Sequence, residues 1–368
     1  MANILFLEPF YAGSHQYFAD GFIRHTKHNV QLLTLPGRFW KWRMESAGME
    51  FARMINNRKK PDLVMATNLM DLAQWKVYSG WGEIPHILYV HENQLDYPLN
   101  EGEKRDFHYV WKDYSNFLIG DKLIFNSQYN LDSFCHKFKR FSRSLPDCNP
   151  IDPENIIRNK SVIISPGCSI IERNDLQNLK MKKNESPLFL WNHRWEHDKN
   201  PEDFFSLLKK LKNKTIPFRL ALLGESFKDS PSCFHEAKSL FKEEIVHYGF
   251  VQSRKDYEMW LKKADFVVTT ARQENFGISM VEAMSAGVLP LMPDRLAYPE
   301  VLPREFHKDC LYTHEEDLFE KLCLLMDHPD LNLLREKLIL KMVRYGWEEI
   351  ILELNALIDE TLEISGLK

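Results

Sequence analysis

No stretch of this sequence approaches the roughly 20 consecutive apolar residues that a bilayer span requires. Its opening segment, MANILFLEPFYAGSH, has no basic region ahead of an apolar one, so it reads as a first buried strand and not as a signal peptide. A cytoplasmic location with no membrane partner is therefore expected. The six cysteines form no C-x-x-C pair or zinc-like spacing, which leaves free thiols as the expectation. There is no G-x-G-x-x-G fingerprint, which argues against a dinucleotide cofactor. The net charge of -4 excludes a globally basic nucleic-acid binder. No internal repeat or low-complexity tract is present.

What is present is alternation. NILFLEP, NVQLLTL, DLVMATN, HILYVHEN and KLIFNS are short apolar runs separated by helical stretches. That is the signature of β-α-β units on a parallel sheet. The pattern stops in a polar segment and restarts with PLFLWNHR, FRLALLGE, IVHYGFV, DFVVTTA and VLPLMPD. With 368 residues, about two domains of ordinary size are expected. The divisions read as 1–172, a linker at 173–187, a second domain at 188–335 and a helical tail at 336–368. The tail could cap the second domain or cross back to the first.

Polar residues just beyond the strands fall where such sheets bind ligands. In ARQENFGISMVEAMSAG, from Ala271, a loop leads from a strand into a helix, and Gly277 lets the backbone approach a ligand. The new helix N-terminus suits an anion. Glu274 and Glu282 are acceptor-only carboxylates and suit the vicinal hydroxyls of a ribose or hexose. In WNHRWEHDKNPEDF, from Trp191, Arg194 and Lys199 share a strand-to-helix loop and could hold a diphosphate and stabilise a departing phosphate. His193 and His197 lie beside them without a clear third ligand, so no metal is expected there. His91 follows a buried strand in YVHENQLDYP. Gly13, after the first strand, permits close approach to phosphate or sugar.

One charge asymmetry stands out. Residues 22–60 hold nine basic and two acidic residues. Within them Arg38, Lys41 and Arg43 interleave with Phe39, Trp40 and Trp42. Cations for phosphates and rings for bases suit RNA. SFCHKFKRFSRS adds Lys137, Lys139, Arg140 and Arg143. A basic amphipathic surface, or membrane association, is the alternative.

These residues resemble the retaining GT-B glycosyltransferases of family 4, whose E-x7-E motif matches Glu274 and Glu282. Arg194 and Lys199 match that family's donor-phosphate pair. A closer resemblance covers nearly the whole chain: FYAGSH, LPGRFWKWR, YVHENQLDYP, RDFHYV, FNSQYN, HRWEHDKNPEDFF, LLGESF and NFGISMVEA are similar to the tRNA-queuosine mannosyltransferase family. That resemblance implies a GT-B fold, two Rossmann-like domains with parallel sheets facing across a cleft. It implies transfer of mannose from GDP-mannose to the queuosine cyclopentenediol of tRNA-Asp, with no prosthetic group and no metal. It also implies donor contacts from Gly13, Gly224, Asn275, Phe276, Gly277 and Glu282. Catalytic roles would fall to Glu274, His91, Arg194 and Lys199. RNA contacts would come from Arg38, Trp40, Lys41, Trp42, Arg43, Lys137, Lys139 and Arg140. The rival readings are a family 4 enzyme acting on a glycan, lipid or small molecule, and a non-catalytic RNA-binding relative.

Overall fold

The apolar runs become parallel strands in a computed structural model. It describes residues 1–55, 58–95, 104–147, 149–150, 152–170, 186–226 and 230–366. Residues 171–185, which include 173–185 of the expected linker, and Cys148 lie outside the described residues. The chain divides into two units, Met1–Gly167 with Trp347–Lys368, and Cys168–Gly346.

In the first unit, strands β1 (Asn3–Tyr11), β2 (Asn29–Pro36), β3 (Leu63–Thr67), β4 (His86–Val90), β5 (Lys122–Phe125) and β6 (Ser161–Ile163) form one sheet in the order β2-β1-β3-β4-β5-β6. Every pairing in it is parallel. Both faces are covered, which explains why the strands are continuous apolar runs and not alternating ones. Leu5, Leu7, Val64, Leu88 and Phe125 face one core with Phe51, Trp75, Phe117 and Phe134. Ile4, Phe6, Met65, Ile87 and Tyr89 face the other.

The second core of that unit is completed from the far end of the chain. Trp347, Ile350, Ile351, Leu354, Leu357 and Ile358 recur at helical spacing along the Trp347–Ile364 helix and pack with Phe18 and Phe22. The expected tail of 336–368 is therefore divided. The helix Leu331–Met342 packs against Ile278–Ser285, and its buried Arg335 pairs with Asp265 at 2.7 Å. Only the segment from Trp347 onward belongs with the first unit. The apolar positions of the two helices serve different cores, which a continuous helical pattern does not reveal.

The second unit holds β7 (Leu188–Trp191), β8 (Arg219–Leu223), β9 (Ile245–Gly249), β10 (Phe266–Val268), β11 (Leu289–Pro293) and β12 (Leu311–Tyr312), in the order β12-β11-β10-β7-β8-β9. This sheet too is parallel throughout. Strands β6 and β12 were not anticipated, because two or three residues carry no readable period. Among the described residues no helix is long and apolar enough to cross a membrane.

Candidate active site

Neighbouring strands β7 and β10 release their chains at the same edge of the second sheet. The loops that follow, 192–200 and 269–277, are laced together. Thr270 Oγ1 donates to the Asn200 carbonyl at 2.7 Å, and the Arg272 amide donates to the Asp198 carbonyl at 2.8 Å. Lys199 Nζ donates to the Gln273 carbonyl at 3.0 Å and lies 3.4 Å from Glu274 Oε2 and 3.1 Å from Asp198 Oδ2. Burial works against charge on Lys199, but the Glu274 and Asp198 carboxylates outweigh it and hold its pKa above the ordinary lysine value. Arg194, on the same loop, is 54% exposed and pairs with Glu196 at 2.9 Å. The structure thus brings Lys199 to Glu274 directly, while Arg194 faces solvent.

The helix after the second loop begins at Ile278, and Gly277 caps it at φ 96°, ψ 52°. Side chains disfavour that left-handed conformation, so glycine is the residue that fits. Asn275 accepts from Gln273 Nε2 at 3.2 Å, and Phe276 is buried with its ring 5.4 Å from that of Tyr345. Glu282 is buried in the helix, with Oε1 2.8 Å from Arg254 Nη1. Gly224 follows β8, where a Cβ would run into the His193 carbonyl and the Trp195 ring. Close packing therefore accounts for that glycine. Buried His193 has its pKa lowered to about 3, first by burial and then by Lys199, so the ring is neutral. Its Nδ1 lies 3.2 Å from Ser279 Oγ.

In the first unit, Gly13 opens the helix Gly13–His25 directly after β1, and His91 directly follows β4. Buried His91 lies with its ring 4.1 Å from that of His15. His15 Nδ1 is 3.2 Å from Glu8 Oε1, and the Phe10 amide donates to the same oxygen at 2.8 Å. Burial opposes charge on His15, and Glu8 more than offsets it, raising the pKa. His91 is held neutral by burial and by its His15 neighbour. Among the described residues, Glu8, His15 and His91 are the group whose ligand atoms, within 4.8 Å of one another, could hold a metal ion. No such group that includes His193 or His197 occurs among the described residues.

The loop carrying His91 is pinned by a buried polar cage. Asn126 Nδ2 donates to the His91 carbonyl at 2.8 Å, and Asn68 Nδ2 donates to the Glu92 carbonyl at 2.7 Å. Asn93 donates to Asn130 Oδ1 at 2.8 Å, and the Gln94 amide donates to Asp113 Oδ2 at 3.0 Å. Burial raises the Asp113 carboxyl to about 7. Asp113, Asn93 and Asn130 were not singled out in the sequence, where Asn68 and Asn126 were legible only as polar residues ending two strands. The repeated strand-ending asparagines, Asn68 and Asn126, were the available signal.

Residues 3–168 match the family described as tRNA-queuosine alpha-mannosyltransferase N-terminal, and residues 172–339 match glycosyl transferases group 1. A tRNA-queuosine alpha-mannosyltransferase of Drosophila melanogaster is 30% identical, over 87% of this chain and 86% of its own. The chain belongs to the tRNA-queuosine alpha-mannosyltransferase family. It is a glycosyltransferase, with a GT-B fold. A GDP-mannose:cellobiosyl-diphosphopolyprenol alpha-mannosyltransferase of Xanthomonas oryzae pv. oryzae (strain PXO99A) is 24% identical, over 47% of this chain and 46% of its own. The fold is shared with sucrose-phosphate synthase of Thermosynechococcus elongatus at TM-score 0.73 and 13% identity, covering 98% of this chain and 100% of that one. It is also shared with Anabaena HepE in complex with UDP, at TM-score 0.67 and 15% identity, covering 98% and 99%.

In this member of the family the basic aromatic stretch forms the start of the helix Trp40–Met54. Arg38, Lys41 and Trp42 are exposed, and Arg43 is half-buried. Trp40 is partly covered, with its ring 5.3 Å from that of Tyr109. Lys137, Lys139 and Arg140 are exposed on the helix Gln128–Ser142, where Lys139 pairs with Glu154 at 3.1 Å. Two residues at the site were missed from sequence: Arg254, the partner of Glu282, and Asp198, the second carboxylate on Lys199. Nothing in their local spacing marks either.

Proposed function

We propose that this chain transfers mannose from GDP-mannose, with retention, to the cyclopentenediol of queuosine in tRNA-Asp. The observation that carries the reading is the junction of Lys199 and Glu274 at the shared edge of β7 and β10. A cation fit for a diphosphate and a carboxylate fit for sugar hydroxyls are there 3.4 Å apart. The family of the Drosophila relative supports the acceptor. The named activity of the Xanthomonas relative supports the donor.

In this reading, Glu274 accepts hydrogen bonds from the hexose and Glu282 from the donor ribose. The amides of Asn275, Phe276 and Gly277, with Gly224 nearby, receive sugar and phosphate. Lys199 and Arg194 neutralise the diphosphate. An acceptor hydroxyl oxygen bonds to the anomeric carbon on the face that the diphosphate leaves. The bond between that carbon and the diphosphate oxygen breaks, and the departing oxygen takes the hydroxyl proton. The two cations stabilise the charge that develops on it, and no metal is required for that role. Arg38, Trp40, Lys41, Trp42, Arg43, Lys137, Lys139 and Arg140 would hold the tRNA, and the reaction would take place in the cytoplasm.

The test is incubation with queuosine-containing tRNA and a panel of nucleotide sugars, followed by mass analysis of the nucleosides. A hexose mass increment on queuosine from GDP-mannose alone is expected. An unmodified nucleoside with every donor would overturn the acceptor, and a preference for a UDP-sugar would overturn the donor.

A further inference from the structure

Phe39 occupies a position that its own fold does not reward. Its backbone lies in the left-handed region, at φ 56°, ψ 51°, which is strained for a bulky residue. Yet 71% of the residue is exposed, so little burial offsets the strain. The Arg38 guanidinium lies 5.8 Å from the ring centre. One turn on, Trp42 is 63% exposed. One exposed ring held against local preference, a second one turn on and cations beside them point to a partner with flat faces and negative charge.

The tertiary structure extends this surface beyond the stretch marked by sequence. The helix Phe107–Ile119 carries Tyr109, which meets Trp40, and Phe107, which stacks on Phe141 at 4.5 Å with planes 3° apart. Phe141 lies in the helix Gln128–Ser142, beside exposed Lys137, Lys139 and Arg140. The two basic segments, nearly 100 positions apart in sequence, thus meet at the start of a third helix. Phe141 covers one face of Phe107, and 44% of Phe107 remains exposed.

We propose that Phe39 and Phe107 are base-stacking residues that hold unpaired nucleotides of the RNA, with the surrounding lysines and arginines on its phosphates. The proposal rests on the RNA acceptor of the preceding reading and adds to it both residues and the single-stranded character of what they grip. A stacked duplex hides its base faces, whereas a loop can splay bases onto exposed rings. The basic residues serve either form, but the rings serve only the unpaired one.

Fluorescence anisotropy on the full chain can test this, with a stem-loop RNA and a fully paired duplex of equal length. Phe39→Asn removes the ring and places a residue that tolerates the left-handed region. It is expected to weaken stem-loop binding about tenfold, the scale of losing one stacked base, to leave duplex binding unchanged and to raise the melting temperature. Phe107→Ala should weaken the stem-loop similarly, and Phe39→Trp should retain affinity. Wild-type affinity for the stem-loop in both Phe39→Asn and Phe107→Ala overturns the stacking roles. If Arg38→Gln, Lys41→Gln and Arg43→Gln together also leave binding intact, the RNA surface itself fails. If they weaken it while the ring variants do not, only the stacking fails. A wild-type dimer that Phe39→Asn dissolves, with RNA affinity unchanged, would assign the rings to contact between copies and overturn the proposal.

Discussion

Arg254 Nη1 lies 2.8 Å from Glu282 Oε1, so the buried second glutamate of the E-x7-E pair is held by a cation from a different helix. Arg254 is two-fifths exposed and Glu282 is nearly dry. Arg254→Met should lower stability by only about 1 kcal/mol, because solvent reaches the arginine side of the pair. It should raise the KM for the donor more than it lowers kcat, since Glu282 loses its orientation and not its chemistry. Donor saturation curves with thermal melts measure both effects, and unchanged donor KM would reduce the pair to a structural one.

Lys199 faces two carboxylates and a carbonyl, and its removal leaves Asp198 and Glu274 crowded together. Lys199→Met is expected to reduce kcat/KM by about 100-fold or more, the scale of losing one charge-stabilising donor at a leaving group. RNA binding should be unaffected. Glu274→Gln, similar in shape, should likewise lose transfer while retaining RNA affinity. Full activity in either variant would detach the loop pair from the chemistry.

Asp113 makes stability depend on pH with a definite sign. Its carboxyl moves from 3.8 to about 7, chiefly through burial, with the Gln94 amide and Asn68 opposing and the Glu92 carboxylate adding to the shift. A folded pKa above the unfolded one gives a contribution that is full below 3.8 and is lost as pH rises through about 7. His86, lowered to about 4 mainly by burial, acts oppositely: its contribution is full above 6.5 and is lost as pH falls through about 4. Asp113→Asn should therefore remove a fall in melting temperature between pH 3.8 and about 7, the window set by the Asp113 shift. A slope equal to wild type would exclude Asp113 as its source.

Gly277 tests the backbone at the helix start. Gly277→Ala should cost about 1–2 kcal/mol, the usual cost of left-handed geometry for a residue with a Cβ. The new Cβ would stand 3.5 Å from Glu274 Cγ, an ordinary van der Waals contact, so turnover should change little. A melt and a kcat measurement check the two effects separately.

Neutralising Arg38, Lys41 and Arg43 together should weaken RNA binding and reduce the salt slope by about 2, near 0.7 for each lost phosphate contact on a single strand. An unchanged slope would move the RNA surface elsewhere.

The paired α/β units and the loops bearing Glu274, Arg194, Lys199 and His91 were legible in sequence because buried parallel strands are apolar runs with polar ends. Gly277 and the helix start at Ile278 were legible for a similar local reason. Strands β6 and β12 were too short to leave a period. The division of the tail at Trp347 was hidden because both helices have apolar stripes, and a stripe does not say which core it meets. The Arg254–Glu282 pair has the same character. Glu282 was marked by its spacing from Glu274, but Arg254 is ordinary in its surroundings and gains meaning only where its helix reaches the glutamate. Likewise, the sequence by itself placed cations among aromatic rings at 38–43. Only the tertiary structure decided that Trp40 is partly covered, that Phe39 is strained and exposed, and that Phe107 brings a second basic helix to the same surface. Local chemistry is written in neighbouring residues, whereas exposure and long-range pairing depend on which distant side chains the packed helices bring together.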